Sequence, residues 1–260
     1  LETWPPAGPG FEPWTTLEPG VDYCRLHRSL PREIRGHVLR FDLGRGDLEF
    51  VVPFSRSAGG GLVRVDWPLT FLRRDGLVAV VNATPFHPEP ILPGGGVQLE
   101  GLAVSAGQWW SEPVSNLDAL VLNKKGSFQM FRVPRQMPDV QWGAGGFLVL
   151  RRGGTNTHEK VEVDAVTAVG TSADQRFLFW LVVDGKQSGY SEGLSADETS
   201  DILGELGVSD AIRMDGGAST TLAVSGSWLG GRVLNRPRNP LYPGLPHPVG
   251  NVLGVRRRPR

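Results

Sequence analysis

Apolar and polar positions alternate in short runs along this chain, and most of those runs read as strands. "VDYCRLHRSL" (21–30) and "RGHVLRFDLGRGDLEFVVPF" (35–54) carry the period of two expected of half-buried strands. "GRGD" predicts a hairpin-type turn inside the second run. "GLVAVVNATPF" (76–86) is continuously apolar, as a strand buried on both faces would be, and the run ends at Asn82. "LEGLAVSAGQWW", "NLDALVLNKKGSFQMFRV" and "GGFLVLRRGG" continue as short strands joined by glycine turns. "VDAVTAVGTSADQRFLFWLVVDGK" holds two strands around the polar turn "SADQ".

The clearest helix signal is "SADETSDILGELG" (195–207). Ser195 is placed to cap it and Glu198 to close a capping box, while Ile202, Leu203 and Leu206 form the apolar stripe. Gly207 stops the helix. Many strands and few helices, with no repeat and no linker between halves, predict a single α+β domain built on a mixed, strand-rich sheet. Its expected span is 21–256, after an extended Pro/Gly-rich lead-in over 1–20 and before a solvated basic tail over 257–260.

Composition narrows the function. Lys plus Arg and Asp plus Glu balance at 27 each in 260 residues, so no global field favours nucleic acid. Charged residues at 21% and apolar ones at 40% fit an ordinary folded protein, with no run of the roughly 18 apolar residues of a membrane span. The single cysteine, Cys24, excludes an internal disulfide and a thiolate metal cluster. Thirty-five glycines and 21 prolines demand many turns. Eight tryptophans are a high load; beside glycine turns such rings line carbohydrate sites, though core packing uses them more often. A start at Leu1 in "LETWPPAGPGFEPW" is what a trimmed or mature exported protein shows.

The chemistry concentrates in "AIRMDGGASTTLAVSG" (211–226). On a strand, Arg213 and Asp215 share one face and Ile212 and Met214 the other. Gly216 and Gly217 allow a sharp turn and close approach of a ligand to backbone amides, and Ser219, Thr220 and Thr221 add hydroxyls. A carboxylate, a cation and bare amides at one strand end suit a sugar or a phosphate. The competing reading is a structural turn in which Asp215 caps its own loop. Elsewhere, His87 and His158 lack the spacing of a metal pair, "LPGGGVQLEG" lacks the ending of a P-loop, and no G-x-S-x-G elbow occurs, so neither cofactor nor metal is called for.

The segment "GYSEGLSADETSDILGELGVSDAIRMDGGASTTLAV" resembles the signature of the phosphodiester glycosidase family, whose Leu-Asp-Gly-Gly-Gly-Ser-Ser/Thr reads "MDGGASTT" in this chain. "AVVNATPF", "VVDGKQSGYSEGLSADE" and "VLNRPRNP…HPVGNVLGV" match further family elements in order, from about residue 30 to 256. The resemblance implies an exported hydrolase that cuts the bond between a sugar's anomeric carbon and a phosphate. Such chemistry needs a carboxylate at an oxocarbenium-like centre and donors for the phosphate oxygens. On this resemblance Asp215 is the key carboxylate, with Asp184 or Glu192 as a second. Asp184 is also read as a plain turn residue and Glu192 as a solvated one. Asn82, and less specifically Asn235, match family asparagines that would bind substrate.

The chain also departs from the family. Val166 stands where the family has the arginine of Pro-Arg-Thr-Ala, His247 where it has that of Arg-Pro-Val, and Ala83 and Thr84 replace glycines. Arginine is the natural clamp for an oxyanion; Arg213 or a protonated His247 could supply the replacement cation, and either could equally be structural. Alternatively, Arg213 pairs with Asp215 and the protein is an inactive glycan- or phosphate-binding relative that keeps the fold.

Overall fold

In the computed structural model, which describes residues 8–55, 62–131, 139–157, 162–226, 230–239 and 242–258, the strands sort into four sheets. The largest has eight strands in the order Thr15–Glu18, Val21–Arg28, Ile34–Asp42, Phe177–Val183, Val166–Thr171, Asp210–Arg213, Leu148–Arg152 and Thr155–Asn156. A five-stranded sheet places Ala79–Asn82 at its centre, between Leu222–Val224 and Val252–Arg257. A second five-stranded sheet is built around Val140–Gly146, and a three-stranded one around Gly96–Leu99. Every pairing among the described strands is antiparallel, which corrects the expected mixed sheet. Parallel neighbours need long crossovers, usually helical, and the described chain forms only two α-helices.

The main core lies between the large sheet and the two five-stranded ones. Phe41, Trp180, Ile212 and Met214 meet Phe50, Val81, Leu222 and Leu253, with Leu120 and Phe128 completing the cluster. A helix the strand pattern does not announce, α1 (Pro68–Arg74), begins with proline at its first turn and buries Phe71 and Leu72 on the outer face of the Ala79–Asn82 sheet. The other face of the large sheet is covered by α2 (Ala196–Glu205), whose Ile202 and Leu203, with Leu206 just beyond, pack on Val38, Val166, Ala168 and Phe179. The cap of α2 forms as its sequence predicts: the Ser195 hydroxyl accepts from the Glu198 amide, and the Glu198 carboxylate accepts from the Ser195 amide.

One turn expectation is corrected. "GRGD" is no hairpin: after the short 3₁₀ turn Leu43–Arg45 the chain leaves the large sheet, and Leu48–Val51 pairs with Val252–Arg257 instead. Ile34–Asp42 already has both edges filled, so Phe50 crosses to the facing sheet and meets Phe41 edge-on, ring centres 5.3 Å apart. In the described part of the extended lead-in, Thr15–Glu18 forms an edge strand and Trp14 packs under the Arg40 guanidinium at 4.6 Å. At the other end, Arg257 closes the last strand and bonds Asp47 at 2.9 Å, and Arg256 bonds Glu49 at 2.8 Å. Val166–Thr171 and Phe177–Val183 do form the predicted pair around "SADQ".

Candidate active site

Leu148, Val166 and Arg213 lie at one common end of three neighbouring strands, since Leu148 pairs with Arg213 and Ala168 with Arg213. Beyond that end a cavity of about 560 Å³ opens, within the usual size of a small-ligand site. Arg213, Asp215, Gly216, Gly217 and Ser219 line it, joined by Asp164, Glu162, Glu89 and Arg238. Phe147 and Leu148 supply an apolar wall.

Asp215 sits at the wall, half-buried, directly after the strand. Its amide donates to the Ala83 carbonyl at 3.0 Å, and its own carbonyl accepts from Asn82 Nδ2 at 2.6 Å. Its carboxylate accepts from the Gly216 amide at 2.9 Å and from the Ser219 side chain, so the self-capping turn and the cavity-facing acid are the same arrangement. Loss of water around the carboxyl pushes its pKa up to about 7, against the lowering effect of those two donors. The carboxylates of Glu89 and Glu100 push in the same direction. Gly217 takes φ +58° at the turn, a conformation glycine adopts without strain.

Arg213 is 7% exposed, and its Nε has no hydrogen-bond partner. No salt bridge to Asp215 forms among the described residues, so the simple ion pair is not its use. Burial lowers its pKa, while Asp164, Asp215 and Glu162 favour the charge without bonding it. A buried guanidinium with an idle donor at a cavity wall has the chemistry to bind an oxyanion. Val166, where the resemblance sets an arginine, packs in the cluster under α2. It lies two residues from Ala168 on the strand facing Arg213, hence on the same sheet face and diagonal to it.

The other candidates stand behind the cavity or away from it. Asn82 is fully buried; its Oδ1 accepts from the Thr167 hydroxyl at 2.7 Å and the Thr221 amide at 3.1 Å, so both ends of its amide are engaged in holding the loop. Asp184 is buried too, accepting from Asn235 Nδ2 at 2.9 Å, the Arg236 amide at 2.9 Å and the Tyr190 hydroxyl at 3.3 Å. Its burial raises its pKa to about 6. Asn235 continues this network, donating to the Thr220 carbonyl and accepting from the Leu222 amide. Thr220 and Thr221 keep buried hydroxyls without partners and do not line the cavity. Glu192 is exposed and outside it. His247 is buried, with Nδ1 3.1 Å from the Pro248 carbonyl, and does not line it either.

Thr84, in place of a family glycine, is locked to Asn251, which accepts from the Thr84 amide at 2.9 Å and donates to its hydroxyl at 3.0 Å. Sequence reasoning misses Asp164, Glu162, Glu89 and Arg238. Arg238 lies inside "VLNRPRNP", where its spacing from Asn235 is the available signal, whereas the three acids carry none. Lys186 pairs with both Glu162 and Asp164 at 3.1 Å. His158 lies outside the described residues. Among those described, no group of three or more His, Cys, Asp or Glu is set to hold a metal, and no helix is long and apolar enough to cross a membrane.

Among curated proteins none matches the chain. Solved structures share its fold, among them the following three. A hypothetical protein from Synechocystis matches with a TM-score of 0.72 and 15% identity over 95% of this chain, which spans 64% of that protein. The zebrafish N-acetylglucosamine-1-phosphodiester alpha-N-acetylglucosaminidase catalytic domain, auto-inhibited by its pro-peptide, matches with a TM-score of 0.69 and 19% identity over 98% of this chain and 86% of that one. A protein assigned as exported in Burkholderia pseudomallei matches with a TM-score of 0.61 and 12% identity over 86% of this chain and 74% of that one. The sequence profile of one family covers residues 75–256, from the end of α1 to the last strand. By that match, the chain belongs to the phosphodiester glycosidase family.

Proposed function

We propose that this protein is an exported hydrolase that cleaves the bond between a sugar's anomeric carbon and a phosphate. The observation that carries the reading is the buried Arg213, its Nε without a partner, beside Asp215 at an open cavity. Arg213, helped by Arg238 at the rim, holds the phosphate oxygens of the diester and of the departing monoester. A phosphate monoester leaves readily, so the demand falls on the anomeric carbon, where positive charge develops. Asp215, ionised above about pH 7, stabilises that centre or takes a proton from the attacking water. The carbon–oxygen bond to phosphate breaks, the water oxygen bonds the anomeric carbon, and the water's proton goes to Asp215 or solvent. Asn82, Asp184 and Asn235 position the loop rather than touch the substrate. The family membership and the exported Burkholderia relative support the reaction class and the location.

The test is release of nitrophenyl phosphate from a nitrophenyl-phosphate diester of a reducing sugar, by the native protein and by Asp215→Asn. Turnover that drops at least a hundredfold in the variant supports the proposal, and equal rates reject it. Val166 in place of a family arginine favours a second reading, a protein that binds sugar phosphates without turning them over. Saturable binding with no hydrolysis in either protein would establish it.

A further inference from the structure

A larger concavity, about 790 Å³, opens beside the strand Gln108–Ser111 and is lined by His87, Gln98, Glu100, Trp110, Glu112 and Asn116, among others. Its lining differs from that of the cavity at Asp215 in cations rather than in carboxylates. Arg213 and Arg238 reach the Asp215 cavity beside Glu89, Glu162, Asp164 and Asp215, whereas among the described residues no lysine or arginine lines this cleft and two glutamates do. The two hollows are neighbours. His87 lines one and Glu89, two residues on, lines the other, and the Glu100 carboxylate acts electrostatically on Asp215. Trp110 is stacked on Phe54, ring centres 5.1 Å apart and planes 21° from parallel, which holds the indole in place. Gln98, Glu100, Glu112 and Asn116 are all exposed around it.

We propose that this cleft is a second subsite that binds the saccharide chain extending from the scissile sugar phosphate, accepting amine-bearing or uncharged sugars and excluding anionic ones. A fixed aromatic plane ringed by planar amide and carboxylate acceptors is suited to a sugar ring, which presents an apolar face and a rim of hydroxyls. With two glutamates and, among the described residues, no lysine or arginine in its lining, the cleft offers phosphate or sulfate no cation to pair with, whereas the neighbouring cavity offers Arg213 and Arg238. Glu100 and Glu112 add attraction for an ammonium group. The inference rests on the sugar-phosphate reading of the neighbouring cavity for the direction of the substrate. Binding in the cleft is measurable without turnover.

The experiment titrates glucosamine trimer, maltotriose and a sulfated trisaccharide against the protein at low salt, read by tryptophan fluorescence and by NMR shifts of the Trp110 indole. Saturable binding is expected for glucosamine trimer, weaker binding for maltotriose and none for the sulfated sugar. Glu112→Gln with Glu100→Gln should weaken glucosamine trimer at least fivefold and bring it level with maltotriose. Trp110→Ala should abolish both, with circular dichroism confirming the fold, and the glutamate pair keeps the proposal testable should that variant unfold. Asp215→Asn should bind the trimers as the native protein does. Equal affinity in the glutamate variant, equal affinity for the sulfated sugar, or no shift at the indole at millimolar trimer would each overturn the proposal. Trimer binding without any diester hydrolysis would instead reject the hydrolase reading and leave the subsite standing.

Discussion

The side-chain amide of Asn82 donates to the main-chain carbonyl of Asp215 at 2.6 Å, so the last residue of a strand in one sheet fixes the acid that follows a strand in another. Because Asn82 also accepts from Thr167 and Thr221, it closes a junction between the sheets. Asn82→Ala would leave a carbonyl, an amide and a hydroxyl without partners in a dry interior. The expected loss is roughly 3–5 kcal/mol of stability, measurable by urea denaturation, since each stranded buried group costs about 1–3 kcal/mol. A loss below about 1 kcal/mol would mean that the junction is not the anchor of the loop.

Arg213 sets function against stability. Its guanidinium is buried without a partner for Nε, an arrangement that costs folding energy and that the proposed function offsets by binding a phosphate. Arg213→Met keeps the bulk and removes the charge, so it should leave the protein as stable or more stable, by about 0–2 kcal/mol. The same change should lower kcat/KM for a sugar phosphodiester at least a hundredfold. A variant that is strongly destabilised with unchanged kinetics would assign Arg213 a structural role.

The raised pKa of Asp215 makes a signed prediction about pH. The unfolded carboxyl titrates near its ordinary value of 3.8, the folded one at about 7. Between these the native state binds the extra proton, so stability falls as pH rises from about 4 to about 7 and levels off above. Asp184, raised to about 6, adds to the same slope. Asp215→Asn should remove part of it: near pH 4 variant and native protein unfold at similar urea concentrations, and at pH 8 the variant is the more stable. Hydrolysis needs Asp215 ionised if it stabilises the anomeric centre or accepts the water's proton, so kcat/KM should rise through about pH 7. An activity that falls through pH 7 would make Asp215 a proton donor instead.

Asp184 reaches the cavity only through other residues. It holds the Arg236 amide and Asn235, and Asn235 in turn holds the Thr220 carbonyl and the Leu222 amide. Asp184→Ala should therefore loosen both the 215–221 loop and the segment that carries Arg238. The expected signature is faster hydrogen exchange at Leu222 and Arg236 together, with KM raised more than kcat is lowered. If exchange at Leu222 stays at the native rate, the two segments are not coupled through Asn235.

Much of the fold can be read from period-two runs and caps. Ser195 and Glu198 announce α2, and the apolar run to Asn82 announces a strand buried on both faces, because these signals are local. The partner of Leu48–Val51 is not local: "GRGD" has hairpin chemistry, but both edges of Ile34–Asp42 are taken by other strands, so Leu48–Val51 pairs in the facing sheet. The site divides the same way. Arg213, Asp215 and the two glycines lie within five residues of sequence and come to the cavity together, whereas Glu89, Arg238 and the pair Glu162 and Asp164 arrive from three separate segments. Asn82 and Asp184 stand out as polar residues at strand ends, but the sequence does not tell a residue that holds a loop from one that holds a ligand.

The relation between Val166 and Arg213 permits a swap. Both side chains lie on the α2 face of the large sheet, diagonal across an antiparallel pair, where residues stand roughly 7–8 Å apart. An arginine at position 166 is expected to reach the same cavity end as Arg213, where two guanidinium groups would repel. Val166→Arg alone buries a second unpaired charge in an apolar cluster and should destabilise the fold by roughly 3 kcal/mol or more. Combined with Arg213→Met, the new guanidinium can enter the space the old one leaves. The double variant should then be more stable than the sum of the single changes by about 1 kcal/mol or more, a coupling of the size expected for residues in contact. It should also regain part of the sugar-phosphate affinity lost in Arg213→Met, measured by calorimetry with an unreactive sugar 1-phosphonate diester. Strict additivity in both stability and binding would show that the two positions serve separate purposes, and Arg213 would no longer stand as the replacement for the family's cation.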